Sequence, residues 1–181
     1  FPDGERVEGI KPLASLREEA DQIFNQPLAG RRILDIGAWV GTWSMAMNEY
    51  CGRVVAFEPE ALHYECLVKN VGDDVETHQL AIGSEQKMIS LSQDNFTQSR
   101  RVVGEGSIPM ITVDSLRLDD VDMIKIDVEG HELSVLDGLK LLLNKNKSLI
   151  LIEIGDEKFE EVNKYLSEKN FKIIFKSKFR L

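Results

Sequence analysis

The 181-residue chain has no apolar run near the ~18–20 residues that a membrane-spanning helix requires; its most apolar stretch, Leu149 to Ile154, is strand-sized. Its first residues, FPDGERVEGIK, lack the apolar core of a signal peptide. Two cysteines, Cys51 and Cys66, make neither a disulfide framework nor a zinc quartet. A reduced, cytoplasmic setting without a membrane is therefore expected. Basic residues are in deficit, 22 Lys and Arg against 31 Asp and Glu, for a formal charge of −9. That balance disfavours broad nucleic-acid binding, which needs concentrated Lys and Arg to displace counterions from phosphates. The one basic cluster, KNFKIIFKSKFRL, alternates like a strand. Internal repeats, low-complexity segments and obvious linkers are absent too. What remains is a globular composition, 43% hydrophobic and 29% charged, of a length that suits one domain spanning residues 1–181.

Short β-branched runs alternate with helical patterns. Leu13, Leu16, Ala20, Ile23 and Phe24 follow Pro12 at helical spacing and predict a helical lead-in within residues 1–30. RRILDIG reads as a strand stopping at glycine, followed by a helix from about Thr42 to Tyr50. CGRVVAFEPE and ALHYECLVKN repeat the strand–helix unit, VETHQLAIG reads as a third strand, and KMISLS as a short fourth. Ser92 to Ser107 is polar, glycine-punctuated and aperiodic, which predicts a mobile loop. PMITVDSL reads as a strand or turn, and VDMIKIDV as a buried strand. A helix striped by Leu133, Leu136, Leu139 and Leu143 follows, then the strand SLILIEIG, a polar helix near Glu157–Lys169, and a last strand FKIIF. Apolar strands alternating with helices predict an α/β, Rossmann-like, doubly wound and mostly parallel sheet with helices on both faces. Ligands of such sheets bind beyond the carboxyl ends of the strands, so the residues just after each strand are the candidates.

The first strand ends in Asp35-Ile36-Gly37-Ala38-Trp39-Val40-Gly41. Gly37 permits a tight turn and close ligand approach, and Gly41 opens a helix with an electropositive N-terminus. Trp39 stands where a dinucleotide fingerprint has its second glycine, the one that lets backbone touch a pyrophosphate. An indole obstructs that approach, which disfavours an NAD-dependent oxidoreductase and favours a nucleoside without a pyrophosphate. The second strand ends in Phe57-Glu58-Pro59. An acid about 20 residues past the glycine turn is placed to accept hydrogen bonds from ribose hydroxyls, although such turns and strand-end acids also serve purely structural ends. Ala81-Ile82-Gly83 suits either an adenine face or ordinary core packing, while His63 and His78 read as isolated solvated or core histidines.

The densest chemistry is Asp127-Val128-Glu129-Gly130-His131-Glu132, three carboxylates and an imidazole around a glycine. Glu132 and Glu129 have a mundane reading as helix N-terminal acids; Asp127 ends an otherwise apolar strand where a ligand belongs. Glu153 falls on the neighbouring strand, either as a structural carboxylate paired with a lysine or as part of the site. Asp127, His131 and Glu153 have donor types suited to a divalent metal, but nothing in their spacing demands one, and none is expected.

At these residues the sequence resembles the FkbM-type family of S-adenosylmethionine (SAM)-dependent methyltransferases. The matching stretches are ILDIGAWVG, VVAFEPE, LAIGSE, ITVDSL, VDMIKIDVEGHELSVLDGL and LILIEI, in the family's order from Ile33 to Ile154. KIDVEGHE with the following VLDG is the specific part. The resemblance implies a class I methyltransferase fold and methyl transfer, usually to a hydroxyl oxygen. It implies a SAM turn formed by Asp35, Gly37, Ala38, Trp39 and Gly41, with Glu58 and Pro59 at the ribose, Ala81 at the base and Asp127 near the methionine portion. Glu129, Gly130, His131 and Glu132 would then shape the acceptor side. The family usually carries Asn where Trp39 stands. The tail after FKIIF is short, which predicts a shortened C-terminal end of the sheet.

An alcohol acceptor must lose a proton as the new bond forms. His131 is the favoured base because imidazole titrates nearest neutrality; Asp127 or Glu132 would orient it or act instead. The expected acceptor is the hydroxyl of a small molecule, sugar, lipid or polyketide. Rival readings are a nucleic-acid methyltransferase, which the net charge disfavours, and a SAM-binding module without catalysis, which would not need to retain His131 and Glu132.

Overall fold

A computed structural model describes residues 31–92, 101–118, 120–145, 148–174 and 176. The predicted helical lead-in and residues 93–100 of the predicted loop lie outside them. Five parallel strands form the main sheet in the order β3-β2-β1-β7-β8: β1 (Arg32–Ile36), β2 (Val54–Phe57), β3 (Glu76–His78), β7 (Val121–Ile126) and β8 (Leu149–Ile152). Order reverses at β1, which lies between β2 and β7, so the crevice above β1 is the topological switch point where such sheets bind ligands.

The period-2 alternation of each strand divides two cores. Ile33, Val54, Ala56 and Met123 face helices α1 (Thr42–Cys51) and α2 (Ala61–Val71), packing on Met47, Leu67 and Val71. Leu34, Ile36, Val55, Phe57, Ile124 and Ile126 point the other way, onto α3 (Glu132–Gly138), α4 (Lys140–Lys145) and α5 (Asp156–Glu168) through Leu136, Leu143 and Val162. Both faces are covered, as continuous apolar strands require.

Four local expectations are revised. VETHQLAIG is not one strand: the chain leaves β3 after His78, and β4 (Ala81–Ile82) joins a second, three-stranded sheet with β5 (Lys87–Leu91) and β6 (Val102–Ile111) in the order β4-β6-β5. Val102–Ser107, expected in a mobile loop, belongs to β6 and pairs antiparallel with β5. Its polarity reflects exposure rather than lack of structure, and Gly106 packs so closely that a Cβ would lie 2.5 Å from the Ile89 carbonyl oxygen. The leucine stripe Leu133–Leu143 is carried by two short helices that break at Leu139. Phe171–Ile174 of the expected last strand form no strand, and Ile173 and Ile174 are exposed.

Candidate functional site

The carboxyl ends of β1, β2 and β7 open onto a cavity of about 240 Å³. Gly37, Trp39, Glu58, Pro59, Ala81, Asp127, Glu129, His131 and Glu153 line it among the sequence candidates, together with His63, which reads in the sequence as an isolated histidine. Leu80, Ile82, Val128, Leu91 and Val102 add apolar wall, the last two brought in by the β5–β6 hairpin.

The turn after β1 is compact because β7 presses on it. Gly37 has φ +82°, and a Cβ there would stand 1.8 Å from the Asp127 carbonyl oxygen. The backbone of the neighbouring strand by itself therefore demands glycine here, and Gly37 also lines the cavity. Gly41, with φ +87°, is required by packing, since a Cβ would meet Leu67 and Val71 of α2 at 2.7 and 2.9 Å. Asp35, Ala38 and Gly41 lie off the cavity. Asp35 alternates onto the α1 face and is fully buried. It accepts from Ser44 Oγ at 2.6 Å and pairs with Lys125 Nζ at 3.1 Å.

Lys125 had no assigned role in the sequence. The parallel register sets it opposite Asp35, and the same alternation brings its Nζ to 3.3 Å from Asp127 Oδ2 and 3.3 Å from the Gly37 carbonyl. Burial alone would lower its pKa, but the Asp35 and Asp127 carboxylates outweigh it and hold the ammonium above the ordinary lysine value. The available signal was a lone lysine in VDMIKIDV, one strand away from an acid in ILDIG.

Glu58 directly follows β2 and is nearly buried, with both oxygens engaged: Oε2 accepts from the Trp39 amide and Oε1 from the Glu60 amide, each at 2.9 Å. His63 Nδ1 lies 3.7 Å from Glu58 Oε1, and its ring meets the Trp39 indole edge-on at 6.3 Å. Glu58 thus holds together the two turns that frame this end of the cavity. His78, by contrast, stacks on Phe57 at 5.2 Å and pairs with exposed Glu76.

At the other end the chain turns sharply after β7. Glu129 and Gly130 are both left-handed, at φ +51° and +94°, which returns His131 to the cavity at the start of α3. Glu132 is buried away from the cavity and accepts from the Gly130 amide at 2.6 Å. It holds the turn; its expected catalytic role is not supported by its position. Burial lowers the pKa of His131, the charge of Lys87 lowers it further, and Glu132 opposes both. Burial thus disfavours the imidazolium, and Nε2 itself is buried with no hydrogen-bond partner among the described residues. Glu153, just past β8, is placed beside β7 by its amide, which donates to the Ile126 carbonyl at 3.0 Å. Asp127, His131 and Glu153 share the cavity, but no group of three His, Cys, Asp or Glu among the described residues is arranged to hold a metal ion. Nor is any helix among them long and apolar enough to cross a membrane.

The Methyltransferase FkbM domain model matches residues 30–173. The hexuronic acid methyltransferase AglP of Haloferax volcanii is 28% identical over 177 residues, covering 90% of this chain and 73% of that protein. Solved structures that share the fold include two methyltransferases. Methyltransferase FkbM from Methylobacillus flagellatus superposes with a TM-score of 0.57 at 18% identity, over 78% of this chain but only 37% of that one. A precorrin-6y C5,15-methyltransferase from Geobacter metallireducens gives a TM-score of 0.58 at 12% identity, over 92% of this chain and 75% of that one. With its switch-point cavity, its DVEGH turn and a family match over most of its length, the chain belongs to the FkbM family of methyltransferases.

Proposed function

We propose that this domain transfers a methyl group from SAM to a hydroxyl oxygen of a small molecule, with a saccharide the favoured acceptor. The observation that carries the reading is one cavity lined both by a ribose-type acid, Glu58, and by an imidazole, His131, whose charged form burial disfavours. The relative named for hexuronic acid methylation supports a sugar, and the net charge of −9 weighs against a polyanionic nucleic acid. The cavity wall carries no Lys or Arg among the described residues, and Trp39 occupies the position of the glycine that a dinucleotide fingerprint would have.

The residues fit SAM. The cavity is slightly smaller than the ~300–1,000 Å³ of small-molecule sites, it mixes apolar wall with few polar groups, and it is rich in carboxylates, which suit a cationic cofactor. Glu58 would hold the ribose hydroxyls, Ala81 and Ile82 the base, and Asp127 the methionine end, with the Lys125 ammonium fixing the Asp127 carboxylate. When bound, SAM supplies a methyl group on a sulfonium sulfur. His131 takes the proton of the acceptor hydroxyl as the oxygen attacks. Leu91, Val102 and Val128 supply apolar wall. Methyl transfer asks chiefly for alignment, which a rigid cavity can supply for several kcal/mol.

The test is calorimetric titration with S-adenosylhomocysteine, using NAD as control. Micromolar binding is expected, with affinity falling about 100-fold in Glu58→Ala, because two hydrogen bonds to a charged acceptor are lost. Binding of NAD instead, or S-adenosylhomocysteine affinity indifferent to Glu58, would refute the reading.

A further inference from the structure

The backbone does not explain why residue 83 is glycine. Gly83 is not left-handed, so no turn geometry requires it, and it lies outside the cavity wall. Its neighbours are what exclude a side chain. A Cβ there would fall 2.4 Å from Met110 Sδ, 2.9 Å from Met110 Cε and 3.1 Å from His131 Nε2. The loop that carries Gly83 is pinned from both sides. The Gly83 amide donates to the Ile111 carbonyl at the end of β6, at 2.9 Å. Next to it the Ser84 amide donates to Ser134 Oγ of α3, at 3.0 Å. At the far end of α3, Gly138 comes so close that a Cβ would stand 2.0 Å from the Gly83 carbonyl oxygen. This loop therefore seats α3, and His131, the residue just before α3, lays its ring against the bare Cα of Gly83.

That contact separates the two ring nitrogens. Nε2 lies against Gly83, which with Met110 is outside the cavity wall, and it is buried with no hydrogen-bond partner among the described residues. Nδ1 is not sealed in this way and has no hydrogen-bond partner among the described residues either. It is the nitrogen left to meet a group in the cavity that the ring lines. Which nitrogen of a neutral imidazole carries the hydrogen is set by the neighbours. The Met110 thioether on the same side of Gly83 is a weak acceptor and cannot donate, so the hydrogen belongs on Nε2 and the free electron pair on Nδ1.

We infer that His131 receives the acceptor's proton at Nδ1, and that Gly83 is the positioning residue that fixes the ring for this. The inference rests on the reading of His131 as the base of a methyl transfer and deepens it. The hydroxyl proton passes to Nδ1 as the oxygen takes up the methyl group; Nε2 keeps its own hydrogen, and the ring ends as an imidazolium. A methyl group on residue 83 would push Nε2 out of its niche and swing Nδ1 with it.

The experiment uses the whole chain, labelled with nitrogen-15 in its three histidines, His63, His78 and His131, at a pH where the rings are neutral. Long-range proton–nitrogen NMR shows which nitrogen of each ring bears hydrogen, and His131→Gln identifies the His131 signals by their loss. Wild-type protein should show hydrogen at Nε2 of His131 and a bare Nδ1. Gly83→Ala should move both nitrogen signals toward the average of a ring that exchanges tautomers in water, while affinity for S-adenosylhomocysteine stays unchanged. Combining Gly83→Ala with Met110→Val, which has no atom at Sδ or Cε and suits a strand, keeps the test open if Gly83→Ala alone does not fold. Relative to Met110→Val alone, the double variant should show the same displacement. Hydrogen at Nδ1 in wild-type protein would deny that nitrogen the electron pair the step needs, and would overturn the inference while leaving the cofactor reading intact. His131 signals indifferent to a methyl group at residue 83 in both backgrounds would remove Gly83 as a positioning residue. Wild-type protein without affinity for S-adenosylhomocysteine would refute the reading of the cavity, and with it the role of His131, whatever its tautomer.

Discussion

Replacing Lys125 with methionine isolates the electrostatics beneath the site. Methionine keeps most of the side chain's volume and removes only the ammonium, which lies 3.1 Å from Asp35 Oδ1 and 3.3 Å from Asp127 Oδ2. The Lys125 side chain is 12% exposed and that of Asp35 is fully buried, so solvent cannot replace the lost charge at Asp35. Breaking a buried pair by removing one partner costs about 3–5 kcal/mol. For a domain of this size that lowers the melting temperature by about 6–20 °C. The pKa of Lys125 in the folded protein is held above its ordinary 10.5. Its contribution is therefore fully present below pH 10.5 and lost as pH rises through the folded-state value, so the gap between wild type and variant should stay constant from neutral pH upward and narrow only in strong alkali. Urea unfolding of wild type, Lys125→Met, Asp35→Asn and the double variant completes the cycle. The double variant should be about 1–3 kcal/mol more stable than the sum of the single losses predicts. A loss below about 1 kcal/mol in Lys125→Met, or strict additivity, would refute the argument, since that is the behaviour of a solvated surface pair.

His131→Ala should leave S-adenosylhomocysteine affinity within a few-fold of wild type while lowering turnover about 100-fold or more, the contribution of a positioned general base. Because the pKa of His131 is lowered below 6.5, wild-type turnover should rise with pH on an acid limb centred below that value and be level through neutrality; unchanged turnover in the variant removes His131 as the base. Gly37→Ala should destabilise the fold by about 3 kcal/mol or more, the sum of left-handed strain and a steric clash, since its Cβ would fall 1.8 Å from the Asp127 carbonyl oxygen. Circular dichroism melting of a variant that retained wild-type stability would contradict the account of the β1–β7 turn.

Periodicity and turn chemistry carried most of the main sheet. VVAF and VDMIKI are short, apolar and β-branched, and they become β2 and β7 because chains of that kind satisfy their backbone only in a sheet buried on both faces. The second sheet was not legible. Val102–Ser107 carries two glycines and few apolar residues, and its strand character comes from pairing with β5, a contact between segments that local pattern does not report. The stripe of leucines from Leu133 to Leu143 announced a buried helical face but not the break at Leu139, where the second helix starts afresh.

The sequence by itself determined the fold class, the strand ends at which chemistry collects, and the family, because each rests on local patterns: alternation, a glycine turn, and the spacing within KIDVEGHE. Which of the residues at those strand ends face the cavity was decided only by the tertiary structure. Asp35 and Glu58 read alike along the chain, yet the pleat turns Asp35 under α1 to meet Lys125 while Glu58, one residue beyond its strand, reaches the cavity. Glu132 and His131 are adjacent, but the left-handed pair Glu129–Gly130 sends the imidazole into the cavity wall and folds the carboxylate back onto the Gly130 amide. Side-chain direction depends on strand register and on the backbone of a turn, and both are set by neighbours distant in sequence.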